Sequence, residues 1–391
     1  MNLVFVSLQR IDTDRESTST CLAKELSKNH KVLYVNSPID RKALFLNTND
    51  EYINAHIDNI KKKGESLKLF QENLWVLHPK RIIESINWIP NTTLFKKINW
   101  INNKRFAKDI KGALEELKFE NYILINDKDI FRSFYLKELL QPEKYIYLDR
   151  DYTIGMDYWR RHGVILEPQL MQKADAVVCN SIDFTKRAKL YNPNSFYIGN
   201  GGYINHNTAE KSLIPKDLEI IPEPRIGYVG ALTSLRLDLN LLIELAKKCP
   251  IWNFVLIGPE DESFQKSKLH TLPNVYFLGK KNTKEISGYL HYFDVCINPQ
   301  IVNEITIGNF PMKIIEYLAS GRPVVATKTN TMKEIFEEHT FLAENTKDYI
   351  QQIKRALLED STSVNQERIS FAKSFSWENV ATSLLNCINS V

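Results

Sequence analysis

The sequence predicts an α/β protein made of two doubly wound parallel-sheet domains facing a cleft. Three observations carry this. Short apolar runs alternate with stretches of helical spacing over residues 3–35 and again over 225–298, the pattern of a parallel sheet with helices on both faces. At 391 residues the chain is too long for one ordinary core, and it suits two domains of roughly 200 and 170 residues. Midway, residues 204–224 are rich in Asn, Pro and Lys, as a linker between two domains would be.

Composition narrows the class. Hydrophobic residues make up 43% and charged residues 25%, as in an ordinary globular protein. The first apolar run, Leu3 to Leu8, is too short for the core of a signal peptide. No run approaches the roughly 20 apolar residues of a membrane span, so a cytoplasmic location is expected. Cys21, Cys179, Cys249, Cys296 and Cys387 are scattered, with no CxxC or Cys/His pairing, which argues against a zinc site and a disulfide framework. Residues 1–205 hold 31 Lys/Arg against 25 Asp/Glu, and the remainder 20 against 22, so the first half is the basic one.

Leu3-Val-Phe-Val-Ser7, a helical pattern over 16–28 and Lys31-Val-Leu-Tyr-Val35 open the first sheet as strand, helix, strand. The loop at 8–17 has no glycine, so the Gly-x-Gly-x-x-Gly of a nicotinamide enzyme is missing where it would be needed. Loops at the carboxyl ends of parallel strands still face a ligand, which makes Arg10, Asp12 and Arg15 candidate acceptor contacts; a solvated loop is the competing reading. Residues 40–72 are polar and read as an irregular insertion around one or two short helices. Leu74-Trp-Val-Leu77 is the next strand. From Ile82 to Lys118, Trp88, Phe95, Trp100 and Phe106 interleave with Lys96, Lys97, Lys104, Arg105, Lys108 and Lys111. Such a segment either packs an apolar stripe on the sheet with its basic face in water, or lies on an anionic membrane as a peripheral contact. One charged helix without a recognisable module does not predict nucleic-acid binding.

Tyr122 to Asn126 and Tyr145 to Leu148 are further strands, separated by a helix over 130–140. Asn126 and Asp127 end the first, on the acceptor side; Asp149-Arg150-Asp151 ends the second. Two carboxylates flanking an arginine make a candidate acid/base site, with Arg150 holding a carboxylate ionised or gripping an anion. The alternative is that an aspartate caps the next helix. Residues 167–181 read as helix, strand and polar turn, and 204–224 as a linker rich in Asn, Pro and Lys.

The second domain begins with the strand Arg225-Ile-Gly-Tyr-Val-Gly230 and a helix over 238–248. It continues with strands at 254–257, 275–278 and 293–298, separated by helical stretches. Its most informative stretch is Asn309-Phe-Pro-Met-Lys-Ile-Ile-Glu316, followed by Tyr-Leu-Ala-Ser-Gly321 and the strand Arg-Pro-Val-Val-Ala-Thr327. Pro311 suits a helix start, and Gly321 its left-handed stop. The N–H groups around Asn309, Phe310, Met312 and Lys313, at the helix start set by Pro311, with the positive helix end and the Lys313 charge, would suit a phosphate. Glu316, a turn later, is placed to accept both hydroxyls of a ribose. An ordinary loop, helix and strand with a surface glutamate is the competing reading. Helices over 331–338, 346–359, 363–373 and 376–388 and a strand at 340–342 complete the chain.

Pro-x-Lys-x-x-Glu-Tyr-Leu-Ala-x-Gly-x-Pro-Val-Val resembles the nucleotide-sugar signature of GT-B glycosyltransferases, in the family 4-like group of teichuronic-acid and other polysaccharide-assembly enzymes. The likeness extends to Glu167…Ala-Asp175-x-Val…Ser181, to the Asn200-Gly201-Gly202 hinge and to the Ile-Gly258-Pro turn. It implies two Rossmann-like domains, with residues 1–204 binding the acceptor and 205–375 the donor, and with the last helix, 376–391, folded back on the first. In that group the second glutamate of a Glu-x7-Glu pair holds the ribose, which falls on Glu316. The first falls on Gly308, with Glu304 as a stand-in. The resemblance further implies that Gly230 lets backbone approach the diphosphate, that Arg236 neutralises it, and that Gly279-Lys280-Lys281 seats the base. It also puts Asp149 where relatives present a residue, often histidine, to the reacting sugar.

The expected function is therefore that of a transferase in polysaccharide biosynthesis. It moves a sugar from a UDP- or GDP-linked donor to a carbohydrate or lipid-linked acceptor at the inner face of the membrane, with retention, and with neither metal nor cofactor. A general-base aspartate would instead permit inversion. A nucleotide-sugar epimerase of the same fold and an inert nucleotide-sugar-binding subunit are the alternatives.

Overall fold

A computed structural model describes all residues except 14–15, 46–49, 203–212, 305 and 307. Contacts divide the chain into two units, Met1–Gly199 with Trp377–Val391, and Asn200–Ser376.

The first unit contains strands β1 (Asn2–Ser7), β2 (Lys31–Val35), β3 (Leu67–Gln71), β4 (Leu74–Leu77), β5 (Tyr122–Asp127), β6 (Lys144–Asp149), β7 (Ala176–Cys179) and β8 (Ser195–Tyr197). They form one sheet in the order β3-β4-β2-β1-β5-β6-β7-β8. All neighbours run parallel except β3 and β4. Its helices are α1 (Thr18–Leu26), α2 (Glu51–Lys61), α3 (Thr92–Leu117), α4 (Leu136–Leu140), α5 (Asp157–Lys173) and α6 (Ile182–Ala188). β1, β5 and β6 are buried almost throughout because helices cover both faces, which is why they read as unbroken apolar runs. α3 begins where the Asn91 side chain accepts from the Leu94 amide at 2.9 Å. Its inward stripe, Phe95, Phe106, Ile110 and Leu114, joins the core.

The second unit contains β9 (Arg225–Val229), β10 (Asn253–Ile257), β11 (Val275–Gly279), β12 (Val295–Asn298), β13 (Val324–Thr327) and β14 (Phe341–Ala343) in a wholly parallel sheet ordered β11-β10-β9-β12-β13-β14. Around it lie α7 (Lys216–Glu219), α8 (Leu239–Lys248), α9 (Glu262–Gln265), α10 (Thr283–His291), α11 (Met312–Ala319), α12 (Thr346–Leu358) and α13 (Thr362–Lys373). The last helix, α14 (Trp377–Asn389), packs on α1 and β7 of the first unit.

Several local expectations are corrected. The polar insertion at 40–72 contains β3, a strand missed because four of its five side chains are exposed and show no alternation. The polar turn after β7 is the start of α6, capped by the Ser181 hydroxyl. Within the expected linker, α7 occupies Lys216–Glu219. The helix expected over 331–338 is a π-type turn, Met332–Phe336.

Candidate functional site

The most developed site of the second unit lies where the carboxyl ends of β9 and β10 meet the start of α11. Gly230 and Gly258 follow these strands with φ of 144° and 148°, a region that favours glycine. A Cβ on Gly258 would lie 1.9 Å from the Gly230 carbonyl oxygen, so the two chain ends touch backbone to backbone. A Cβ on Gly230 would lie 2.6 Å from the Lys313 Nζ. The bare backbone there is the room that the lysine occupies. Lys313 donates to the Tyr228 hydroxyl, and its ammonium lies 4.2 Å from the centroid of that buried ring.

α11 is fixed to β9 by Tyr317, whose hydroxyl accepts from the Val229 amide at 2.9 Å and donates to its carbonyl at 3.2 Å. No side chain among the described residues caps α11 at Pro311. Among the described residues the first amides, of Met312 and Lys313, have no hydrogen-bond partner, so the positive end of the dipole is open. Glu316, one turn later, is half-buried and has no hydrogen-bond or ion-pair partner among the described residues. Burial raises its carboxyl above the usual range, against the pull of Lys313. The Asn309 Oδ1 is also buried without a partner among the described residues. An unmatched carboxylate, an unmatched amide oxygen, open helix amides and a lysine together suit a ligand with hydroxyls and a phosphate.

The other donor-side candidates divide. The Phe310 side chain is core, packed on Phe336 and Phe375, so of this residue only the backbone is available to a ligand. Arg236 is exposed, held through its backbone to Thr233 and Ile301. Glu304 and Lys280 are exposed, and Pro311 and Met312 are half-buried at the helix start. Lys281, beside Lys280, is taken by Asp217.

In the first unit the expected acid/base site is rearranged. Asp149 is fully buried between Lys128 and Arg187, the latter at 2.6 Å. Burial alone would raise its carboxyl, but Lys128 and Arg187 outweigh that and hold it ionised. Glu167 closes the cluster, 2.5 Å from the Lys128 Nζ, and accepts from the Tyr147 hydroxyl at 2.9 Å. Asp149 is thus a fully buried carboxylate paired with two cations. Arg150 bridges Asp127, at 2.6 Å, and Asp151, at 2.7 Å. Asp127 is buried and also accepts from Ser7. Asn126 is buried in its own turn, bonded to Asp129 and Tyr145. Of the residues expected here only Arg150 and Asp151 are partly exposed, as is Arg187 beside them.

Arg10 and Asp12 form a two-bond pair, at 3.1 and 2.8 Å. Two histidines missed in the sequence join them: His56 Nδ1 at 3.2 Å and His78 Nδ1 at 3.4 Å from the Arg10 guanidinium. His78 directly follows β4, so the rule that strand ends carry ligand contacts would have found it; His56, inside α2, offered no local signal. Arg15 lies outside the described residues.

Comparison with known proteins now has a geometry to meet. The whole chain aligns with sucrose-phosphate synthase from Thermosynechococcus elongatus at a TM-score of 0.67 and 16% identity, covering 98% of that chain. It aligns equally well with HepE of Anabaena in complex with UDP, at 0.67 and 15%, over the full length of both. This is the GT-B fold. Within the GT-B chain, residues 223–360 match the family model of group 1 glycosyl transferases, which contains β9, β10 and α11. The putative teichuronic acid biosynthesis glycosyltransferase TuaH of Bacillus subtilis (strain 168) is 26% identical over 228 residues, 54% of this chain. The match spans little more than half of that relative, 56% of its length. No helix among the described residues is long and apolar enough to cross a membrane.

Proposed function

We propose that this GT-B chain transfers a sugar from a UDP- or GDP-linked donor to a carbohydrate or lipid-linked acceptor, in polysaccharide assembly at the cytoplasmic face of the membrane. The observation that carries the reading is the half-buried Glu316 carboxylate, without a partner among the described residues, one turn above a helix start that none of them caps. In this reading Glu316 accepts both ribose hydroxyls. The α11 amides, Lys313 and Arg236 then stabilise the diphosphate as it departs, where negative charge grows, without a metal ion. The absence of a side chain at Gly230 brings backbone within reach of the same phosphates. Retention of configuration is part of the proposal; of the two aspartates that could serve an inverting reaction as general base, Asp149 is held between two cations and Asp151 is paired with Arg150. Support for the donor class comes from the match over residues 223–360 and from the UDP held by HepE.

A thermal-shift screen with UDP, GDP and their common sugar conjugates tests it, since a ligand of the native state raises its apparent stability. The expected result is a rise with one nucleotide series that is lost in Glu316→Ala. No rise with any nucleotide, or an undiminished rise in that variant, overturns the assignment. Conversion of the donor sugar with no acceptor present would identify an epimerase instead.

A further inference from the structure

α3 presents a second surface that the donor site does not use. Opposite its buried stripe, Leu94, Lys97, Ile101, Lys104, Lys108 and Lys111 follow one another at intervals of three and four residues, all exposed. They form a single row about 26 Å long on the outer face of the helix. Leu94 and Ile101 are each 49% exposed, and Trp88, just ahead of the helix, is 71% exposed. Trp88 is held in place by its Nε1, which donates to the Ser85 carbonyl at 2.8 Å. Arg161 of α5 adds a further cation, bonded at 3.0 Å to the carbonyl of Asn87 beside it.

Charge on this row is of one sign. Between Trp88 and Lys111 the single acidic residue is Asp109, and it is consumed by Arg81. Among the described residues Lys97, Lys108 and Lys111 have no acidic partner. A helix face that is merely solvated carries mixed charges and few large apolar groups. This one alternates aliphatic side chains and a tryptophan with lysines whose stems bring the ammonium groups to the edge.

We infer that the α3 outer row and Trp88 dock on an anionic lipid bilayer, with the lysines against the headgroups and Trp88, Leu94 and Ile101 at the boundary with the acyl chains. The inference deepens the proposed location at the inner membrane face and rests on it for the choice of leaflet. Single-stranded RNA would also meet lysines and an aromatic ring. A bilayer is favoured because Leu94 and Ile101 offer nothing for a base to stack upon.

Sedimentation of the full chain with vesicles of phosphatidylcholine alone, or with phosphatidylglycerol added, tests this. Binding is expected only with the anionic vesicles, weakening with salt and falling about fivefold for each lysine removed in the series Lys97→Gln, Lys104→Gln, Lys108→Gln. Brominated lipid should quench the wild-type tryptophan signal and do so less in Trp88→Phe. Absence of binding to anionic vesicles, insensitivity to the lysine series, or preferential binding of an oligouridine RNA overturns the inference. The nucleotide-induced thermal shift, which reads the second unit, separates this outcome from failure of the donor-site assignment. The same shift in the lysine variants shows that they are folded.

Discussion

Lys313 of α11 lies over the ring of Tyr228 in β9, its ammonium 4.2 Å from the ring centroid and directly beside Gly230. The contact sets a full positive charge next to open helix amides in a partly buried place, where charge is poorly screened. Tyr317 holds the two elements at that spacing through both backbone groups of Val229.

Glu316→Gln separates binding from stability. Burial raises the carboxyl of Glu316, so ionising it costs stability in the folded chain at pH values above the unfolded carboxyl range, and the cost vanishes below it. The variant should therefore melt no lower than the wild type at pH 7. Loss of charge-assisted hydrogen bonds should weaken nucleotide binding about tenfold or more by calorimetric titration.

Two glycines should fail differently. Gly258→Ala would press a methyl group into the Gly230 carbonyl and should destabilise the second unit by about 2 kcal/mol or more in urea. Gly230→Ala shares the φ strain but would meet the flexible end of Lys313 at 2.6 Å and the Tyr228 hydroxyl at 2.9 Å and not backbone, so beyond that shared cost it should displace the lysine and reduce nucleotide affinity. Equal losses of stability would contradict the roles assigned here.

Asp149→Asn should act on stability. Lys128 and Arg187 would lose their shared anion in a fully buried cluster, with Glu167 left to serve both, and a loss of about 3 kcal/mol is expected from denaturant titration. Nucleotide binding by the purified folded variant should be unchanged. A variant as stable as the wild type would return Asp149 to the list of catalytic candidates.

Acid should loosen the first unit through His56. Burial, then the charge of Arg10, lowers its pKa to about 4 from 6.5. A histidine whose folded pKa is depressed contributes full stability above about pH 6.5 and loses it as the pH falls towards 4, about 2 kcal/mol by pH 5. Urea titrations of the wild type and His56→Gln at pH 7 and 5 should give a smaller pH difference in the variant.

Much of the fold was legible because parallel strands buried on both faces write themselves as local apolar runs, as in Tyr122–Asp127 and Asn253–Ile257. β3 escaped because an edge strand with exposed Lys68, Leu69, Phe70 and Gln71 has neither a run nor an alternation to read. At the proposed donor-side site the helix start was legible from a nineteen-residue stretch, which also carries Lys313 and Glu316. The Phe310 backbone belongs to that same stretch, but where its ring goes was not legible, because a loop aromatic shows no periodicity to reveal that it packs into the core.

By itself the amino-acid order determined the two α/β sheets and the helix start at Pro311, because these follow from spacing and backbone preference within a few residues. Tertiary structure alone decided which charges meet. Asp149 lies 21 residues from Lys128, 18 from Glu167 and 38 from Arg187 in the chain, and only the packing of β5, β6, α5 and α6 makes them one buried cluster. Lys313 reaches Tyr228 across 85 residues for the same reason. Whether a carboxylate is an open acid or a paired ion depends on burial and on neighbours distant in sequence, and no local pattern of residues carries that information.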